Sequence, residues 1–147
     1  MKIKEVLQNK SNASICTICP GQTVGAAVAE LCRNGIGALL VVNERREPVG
    51  IITERDVLRA ASRDLKGFSD LRVSEVMSKD LICGLPDDEV HYVMQVITQN
   101  RIRHLPIVEN NRLVGVVSIG DMIKSQLEAV RVENHMLKDY LHLKGEI

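Results

Sequence analysis

The sequence predicts an α/β protein built from two copies of a β-α-β-β-α repeat, packed about a pseudo-twofold axis and extended by a C-terminal helix. Three observations predict it. The chain aligns with itself over about forty positions, each copy shows the same alternation of helical and strand periodicity, and an unbroken helical pattern follows the second copy. In the alignment Pro20 stands opposite Pro86, Val24 opposite Val90, Asn34 opposite Asn100, Ile36 opposite Ile102, Leu39 opposite Leu105 and Val42 opposite Val108. One residue is then lost from a loop of the second copy. Val49 and Gly50 meet Val114 and Gly115, Thr53 meets Ser118, and Asp56 meets Asp121.

Each copy opens with a short helix (Ile3 to Gln8; Val73 to Met77) and a short strand with turn residues (Ser14 to Gln22; Leu81 to Asp88). A helix follows, with Val24, Ala27, Val28 and Leu31 at helical spacing in the first copy and Val90, Val93, Met94 and Ile97 in the second. Asn34-Gly35 closes the first of these helices, glycine supplying the left-handed conformation. Two apolar strands come next, the first being Gly37 to Val42 or Arg103 to Val108, separated by polar turns at Asn43 to Pro48 and Glu109 to Arg112. The second strand gives way to another helix. The expected division is residues 1–65 for the first repeat with its short helix, 66–72 for a linker, 73–126 for the second repeat and 127–147 for the extension. Each small sheet keeps one apolar face that needs cover. Pairing the copies supplies it and creates two clefts where they meet.

Composition narrows the function. Lys plus Arg and Asp plus Glu are equal at 19 each, so no long-range field recruits nucleic acid or an anionic membrane. The chain has no Trp, one Phe and two Tyr, too few for the stacking platforms of single-strand binders. Residues Met1 to Lys10 lack the apolar run of a signal peptide, and the longest apolar stretches are too short to span a bilayer. A cytoplasmic protein is expected. Cys16 and Cys19 form C-x-x-C without a second pair, and three residues apart on a strand they point to opposite faces. Structural thiols are expected rather than a metal or redox site.

The sharpest local pattern is Gly50-Ile51-Ile52-Thr53-Glu54-Arg55-Asp56, echoed by Gly115-Val116-Val117-Ser118-Ile119-Gly120-Asp121. It has two readings. Thr-x-x-Asp and Ser-x-x-Asp before a helix are capping boxes, which satisfy unpaired backbone N–H groups. The same corner also offers phosphate a helix N-terminus and offers a ribose diol an acidic acceptor. Its recurrence at matched positions beside an expected cleft favours nucleotide binding.

These residues, with Ile36 to Val42, Asn100 to Val108 and the Val73-Ser74-Glu75-Val76-Met77 lead, resemble the tandem CBS-domain pair. That module is named after cystathionine β-synthase and occurs also in inosine-monophosphate dehydrogenase, the gamma subunit of AMP-activated kinase and chloride channels. The likeness covers roughly residues 3 to 125 and is greatest to stand-alone bacterial pairs that end in a charged helix without a catalytic domain. The resemblance implies a regulatory, signal-transducing sensor, not an enzyme. Its ligand would be AMP, ADP or ATP, with NAD(H) or S-adenosylmethionine as further candidates. It implies that Asp56 and Asp121 hold ribose hydroxyls and that Thr53 and Ser118 contact ribose or phosphate. Gly37, Ala38 and Leu39, and Arg103, His104, Leu105 and Pro106, would flank base and phosphates. Thr17 and Cys83 would approach the adenine. Arg55 and Arg103 are the candidates for phosphate charge, with solvated arginines as the plain alternative; His104 is equally readable as a packed histidine. Gly37-Ala38 stands where the second copy has Arg103-His104, so the two sites should differ, the Arg103 side suiting phosphate better.

Beyond Asp121 the helical pattern runs to Leu143 without Gly or Pro. Ile123, Leu127, Val130, Asn134, Leu137 and Leu141 step by four and three residues in turn. A seven-residue seam with one polar member packs on another helix, either of a second subunit or of its own module. A homodimer is expected, read by an unidentified partner protein. The competing reading is a structural dimerisation module with no physiological ligand.

Overall fold

Why the chain forms the elements it does is visible in a computed structural model that describes residues 1–10 and 16–143. The elements run α1 (Ile3–Asn9), β1 (Thr17–Ile18), α2 (Val24–Asn34), β2 (Ala38–Val42), β3 (Pro48–Thr53), α3 (Glu54–Arg63), a 3-10 turn (Phe68–Asp70), α4 (Val73–Val76), α5 (Val90–Asn100), β4 (His104–Glu109), β5 (Arg112–Ser118) and α6 (Ile119–Leu143). This is the mixed α/β arrangement of two like repeats with a C-terminal helix that the self-alignment predicts.

The described chain divides into two compact units, neither continuous in sequence. One comprises residues 16–83 and 108–114, the other residues 1–10, 84–107 and 115–143. In the first unit β1 pairs parallel with β2, which pairs antiparallel with β3, Ala38 standing opposite Thr53 and Leu40 opposite Ile51. Ile18, Val24, Ala27, Leu31, Leu39, Val41, Ile52 and Val73 form its buried core. In the second unit the buried apolar residues include Ile3, Val6, Val90, Val93, Ile97, Leu105, Ile107, Val117 and Met122. Both cores are aliphatic, as the scarcity of aromatics requires.

The short helices are seated with the other copy. Leading the first repeat in sequence, α1 docks on the start of α5: Ile3 N–H donates to Asp88 O at 3.0 Å, Lys4 N–H to Pro86 O at 2.9 Å, and Val90 N–H to Met1 O at 3.0 Å. At the head of the second repeat, α4 docks on the start of α2 by equivalent bonds: Val73 N–H to Gln22 O at 2.8 Å, Ser74 N–H to Pro20 O at 3.0 Å, and Val24 N–H to Leu71 O at 2.8 Å.

The first strand of each copy is shorter than the sequence suggests. Only Thr17–Ile18 is strand in the first copy, because Gln22 N–H turns back to Cys19 O and Cys19 N–H is taken by the Gln22 side chain; Ser14 and Ile15 lie outside the described residues. The strand expected over Leu81 to Asp88 is reduced to a single parallel bridge between Gly84 and Ile107. Leu85 N–H goes to the Asp88 carboxylate at 2.8 Å and Asp88 N–H to Leu85 O at 3.1 Å, so a four-residue turn around Pro86, closed at both ends by Leu85 and Asp88, removes these groups from the ladder.

The one-residue difference between the copies has a clear cause. Asn110 and Asn111 both adopt positive φ (53° and 63°), the requirement of a tight type I′ hairpin. The first copy bridges the same gap with a wider turn, Asn43 N–H to Glu47 O at 3.0 Å, with Arg46 at φ 62°. Gly35 takes the left-handed conformation at the end of α2 (φ 61°), as predicted, whereas Arg101 fills the equivalent place after α5 (φ 53°).

Candidate functional site: two strand-to-helix corners

Each unit carries one corner where a strand runs into a helix. In the first, β3 ends at Thr53, which caps α3. Thr53 N–H donates to Asp56 Oδ2 at 2.9 Å, the Thr53 hydroxyl to the same oxygen at 3.0 Å, and Asp56 N–H to Thr53 Oγ1 at 3.2 Å. The capping box predicted from Thr-x-x-Asp is therefore formed. Among the described residues, the hydrogen bonds donated to this carboxylate converge on one oxygen, so the other remains available to a ligand. Glu54 N–H donates to Gly37 O at 3.0 Å and Ala38 is the register partner of Thr53, which brings the head of β2 to the same corner. Thr17 lies on the neighbouring strand opposite Leu40. Gly37 and Arg55 are exposed and Thr17, Ala38, Thr53 and Asp56 half-buried, whereas Leu39 is buried in the core. What Leu39 can offer a ligand is its backbone.

The second corner repeats the geometry. Ser118 N–H donates to Asp121 Oδ2 at 3.0 Å and Asp121 N–H to Ser118 Oγ at 3.1 Å, at the junction of β5 and α6. Arg103 and His104, at the head of β4, are exposed; Leu105 and Pro106 are buried. The Pro106 carbonyl accepts from Gly84 N–H at 2.8 Å. Cys83, next in the chain, is exposed, and partial desolvation around its sulfur pushes the thiol pKa up, which disfavours a reactive thiolate. Cys16, Cys19 and Cys32 are also free thiols, and no group of metal-ligating side chains occurs among the described residues.

The two corners differ at a residue the sequence reading passes over. Lys10 Nζ lies 3.0 Å from Asp121 Oδ2 and donates to Val116 O at 2.8 Å. Burial by itself raises the Asp121 carboxyl pKa. Hydrogen bonds from Lys10 and Ser118 and the Lys10 charge outweigh it, and the group sits below the usual carboxylate range. No described cation pairs with Asp56. The signal that could have found Lys10 is the likeness of Ile3-Lys4-Glu5-Val6 to Val73-Ser74-Glu75-Val76, which marks α1 as the counterpart of α4 and so associates Lys10, just beyond α1, with the opposite copy.

Comparison with known proteins agrees with this geometry. The model of the CBS domain matches the chain twice, over residues 3–63 and 73–128. The mitochondrial CBS domain-containing protein CBSX3 of Arabidopsis thaliana is 33% identical over 148 residues, covering 95% of this chain and 71% of the relative. Among solved structures, the CBS-domain protein ATU1752 of Agrobacterium tumefaciens superposes with a TM-score of 0.71 at 31% identity, over 85% of this chain and 92% of that one. CBSX2, solved in complex with AMP, shares the fold with a TM-score of 0.73 at 16% identity, over 87% of this chain and 97% of its own. No helix among the described residues is long and apolar enough to cross a membrane. Two domain matches in tandem, a duplicated β-α-β-β-α framework and paired capping corners together place this chain in the CBS-domain family, as a CBS pair.

Proposed function

We propose that this CBS pair is a regulatory sensor that binds an adenine nucleotide at its strand-to-helix corners, AMP first among the candidates, with ADP, ATP and NAD(H) after it. The observation that carries the reading is the half-buried aspartate of each corner, held rigid by its own cap with carboxylate capacity to spare. A carboxylate fixed this way accepts both hydroxyls of a ribose at little ordering cost, and the adjoining helix start favours phosphate. Arg55 at the first corner and Arg103 at the second supply positive charge to the phosphate, and Thr17 faces the base. That CBSX2, of the same fold, holds AMP supports the ligand class. The bound nucleotide acts by favouring one conformation over another, which a partner protein reads.

Calorimetry with AMP, ADP, ATP, NADH and S-adenosylmethionine tests this. Saturable binding of at least one nucleotide, lost in Asp56→Ala/Asp121→Ala, is expected; unchanged binding in that variant refutes the site. A second reading, a structural module whose aspartates serve as caps alone, is favoured by the fact that Thr53 and Asp56 already satisfy one another. Thermal denaturation separates the two, since a ligand at 100 times its dissociation constant stabilises by about 2.7 kcal/mol.

A further inference from the structure

The longest helix of the chain is largely unpacked. Of the 25 residues of α6, only Met122 and Ser125 are buried, while Leu127, Val130 and Leu137 are 64%, 51% and 56% exposed. From Leu127 to Leu143 the helix runs about 25 Å at 1.5 Å per residue. A free helix of this length is marginal in water, so this stretch calls for a partner surface.

Its pattern identifies the partner. In heptad terms Leu127, Asn134 and Leu141 occupy a, and Ile123, Val130 and Leu137 occupy d. The flanking e positions are Lys124, Arg131 and Lys138, and the g positions include Gln126 and Glu133. In a parallel pair each g residue faces the e residue five places on in the partner, which sets Gln126 against Arg131 and Glu133 against Lys138. An antiparallel pair would instead bring the basic e positions of the two helices together, and like charges there are destabilising. Asn134 at a prefers to meet itself across the axis, which again requires parallel helices in one register. The opposite face carries Ala129, Val132, Met136 and Leu143 but is interrupted by Asp139 and lacks flanking charge pairs.

We infer that residues 123–143 of α6 form a parallel, two-stranded coiled coil with the same helix of a second copy. The occupant of the exposed stripe is then this chain itself, in register at Asn134, with Glu133 of each chain beside Lys138 of the other. The inference is independent of the nucleotide reading and is tested without ligand.

Sedimentation equilibrium at low salt on the full chain provides the test. A dimer is expected for the native sequence. Glu133→Lys and Lys138→Glu should each weaken it about tenfold, since two symmetric pairs turn from attractive to repulsive, and Glu133→Lys/Lys138→Glu should restore it. Both substitutions are on the exposed face of the helix, and melting curves verify that the variants fold. A monomer overturns the inference, and so does a dimer that neither swap weakens. A dimer tightened by Lys138→Glu overturns it as well, because relief of repulsion between e positions is the signature of antiparallel helices. A tetramer would mean that the Ala129 face is also covered, and would overturn the two-stranded assignment.

Discussion

Lys10 and Asp121 show how one residue separates two otherwise equivalent corners. The ion pair and the Ser118 cap hold the Asp121 carboxyl below its ordinary value of 3.8. A depressed carboxyl stabilises the fold above the unfolded-state value, and the contribution disappears as pH falls through the folded-state value. Replacing Lys10 with Met should raise the Asp121 pKa, and NMR titration of the carboxyl carbon would register the rise; an unmoved titration would show that Ser118 alone sets it. The glycines of β3 and β5 supply a further residue-scale contrast. A Cβ on Gly50 would lie 2.5 Å from Met77 Sδ and 2.9 Å from the Ser78 carbonyl oxygen, the latter part of a backbone pair with Ile51. The atoms nearest a Cβ on Gly115 all belong to the Leu7 side chain. Gly50→Ala should therefore cost about 1–3 kcal/mol by overpacking, and Gly115→Ala less, because a leucine tip yields more readily than a ladder. Urea denaturation of the two variants decides the order.

At the scale of elements, α1 and α4 are the informative pieces. Each is too short to persist alone and is held by backbone bonds to the copy it does not precede. Ile3 and Val73, both fully buried, are the anchors. Ile3→Ala should destabilise by about 2–5 kcal/mol, and hydrogen exchange should rise first in α5, where α1 is bonded, rather than in α2. Protection lost first in α2 would contradict the docking described. The Thr53 cap belongs to the same scale. Thr53→Ala should cost α3 about 1 kcal/mol, which calorimetric melting can measure, and any greater loss of nucleotide affinity would separate the proposed ligand role of the corner from its capping role.

For the whole molecule, duplication made most of the fold readable. Periodicity located α2, β2, β3, α5, β4, β5 and α6, and the matched Thr-x-x-Asp and Ser-x-x-Asp located both capping boxes. Strand lengths were less legible, because local turns at Pro20 and Pro86 compete for the same backbone groups as the sheet. The Lys10 contact was not legible in any local pattern, since it joins residues 111 apart in the chain, and the likeness of α1 to α4 is its one trace in the sequence. On the proposed nucleotide reading, a ribose at Asp121 would have to share or displace this cation, whereas no cation among the described residues pairs with Asp56. Nucleotide titrations should resolve two classes of site, and raising ionic strength should alter the Asp121 class more, as salt screens its ion pair.

The sequence alone determined the repeat, the type of nearly every element, the caps and the heptad stripe, because each depends on residues at most a few turns apart. Tertiary structure decided which copy receives each short helix, where β1 and the bridge at Gly84 stop, and which aspartate meets a lysine. Those outcomes depend on distant segments competing for the same hydrogen-bonding groups and buried surface, and no local period records who wins.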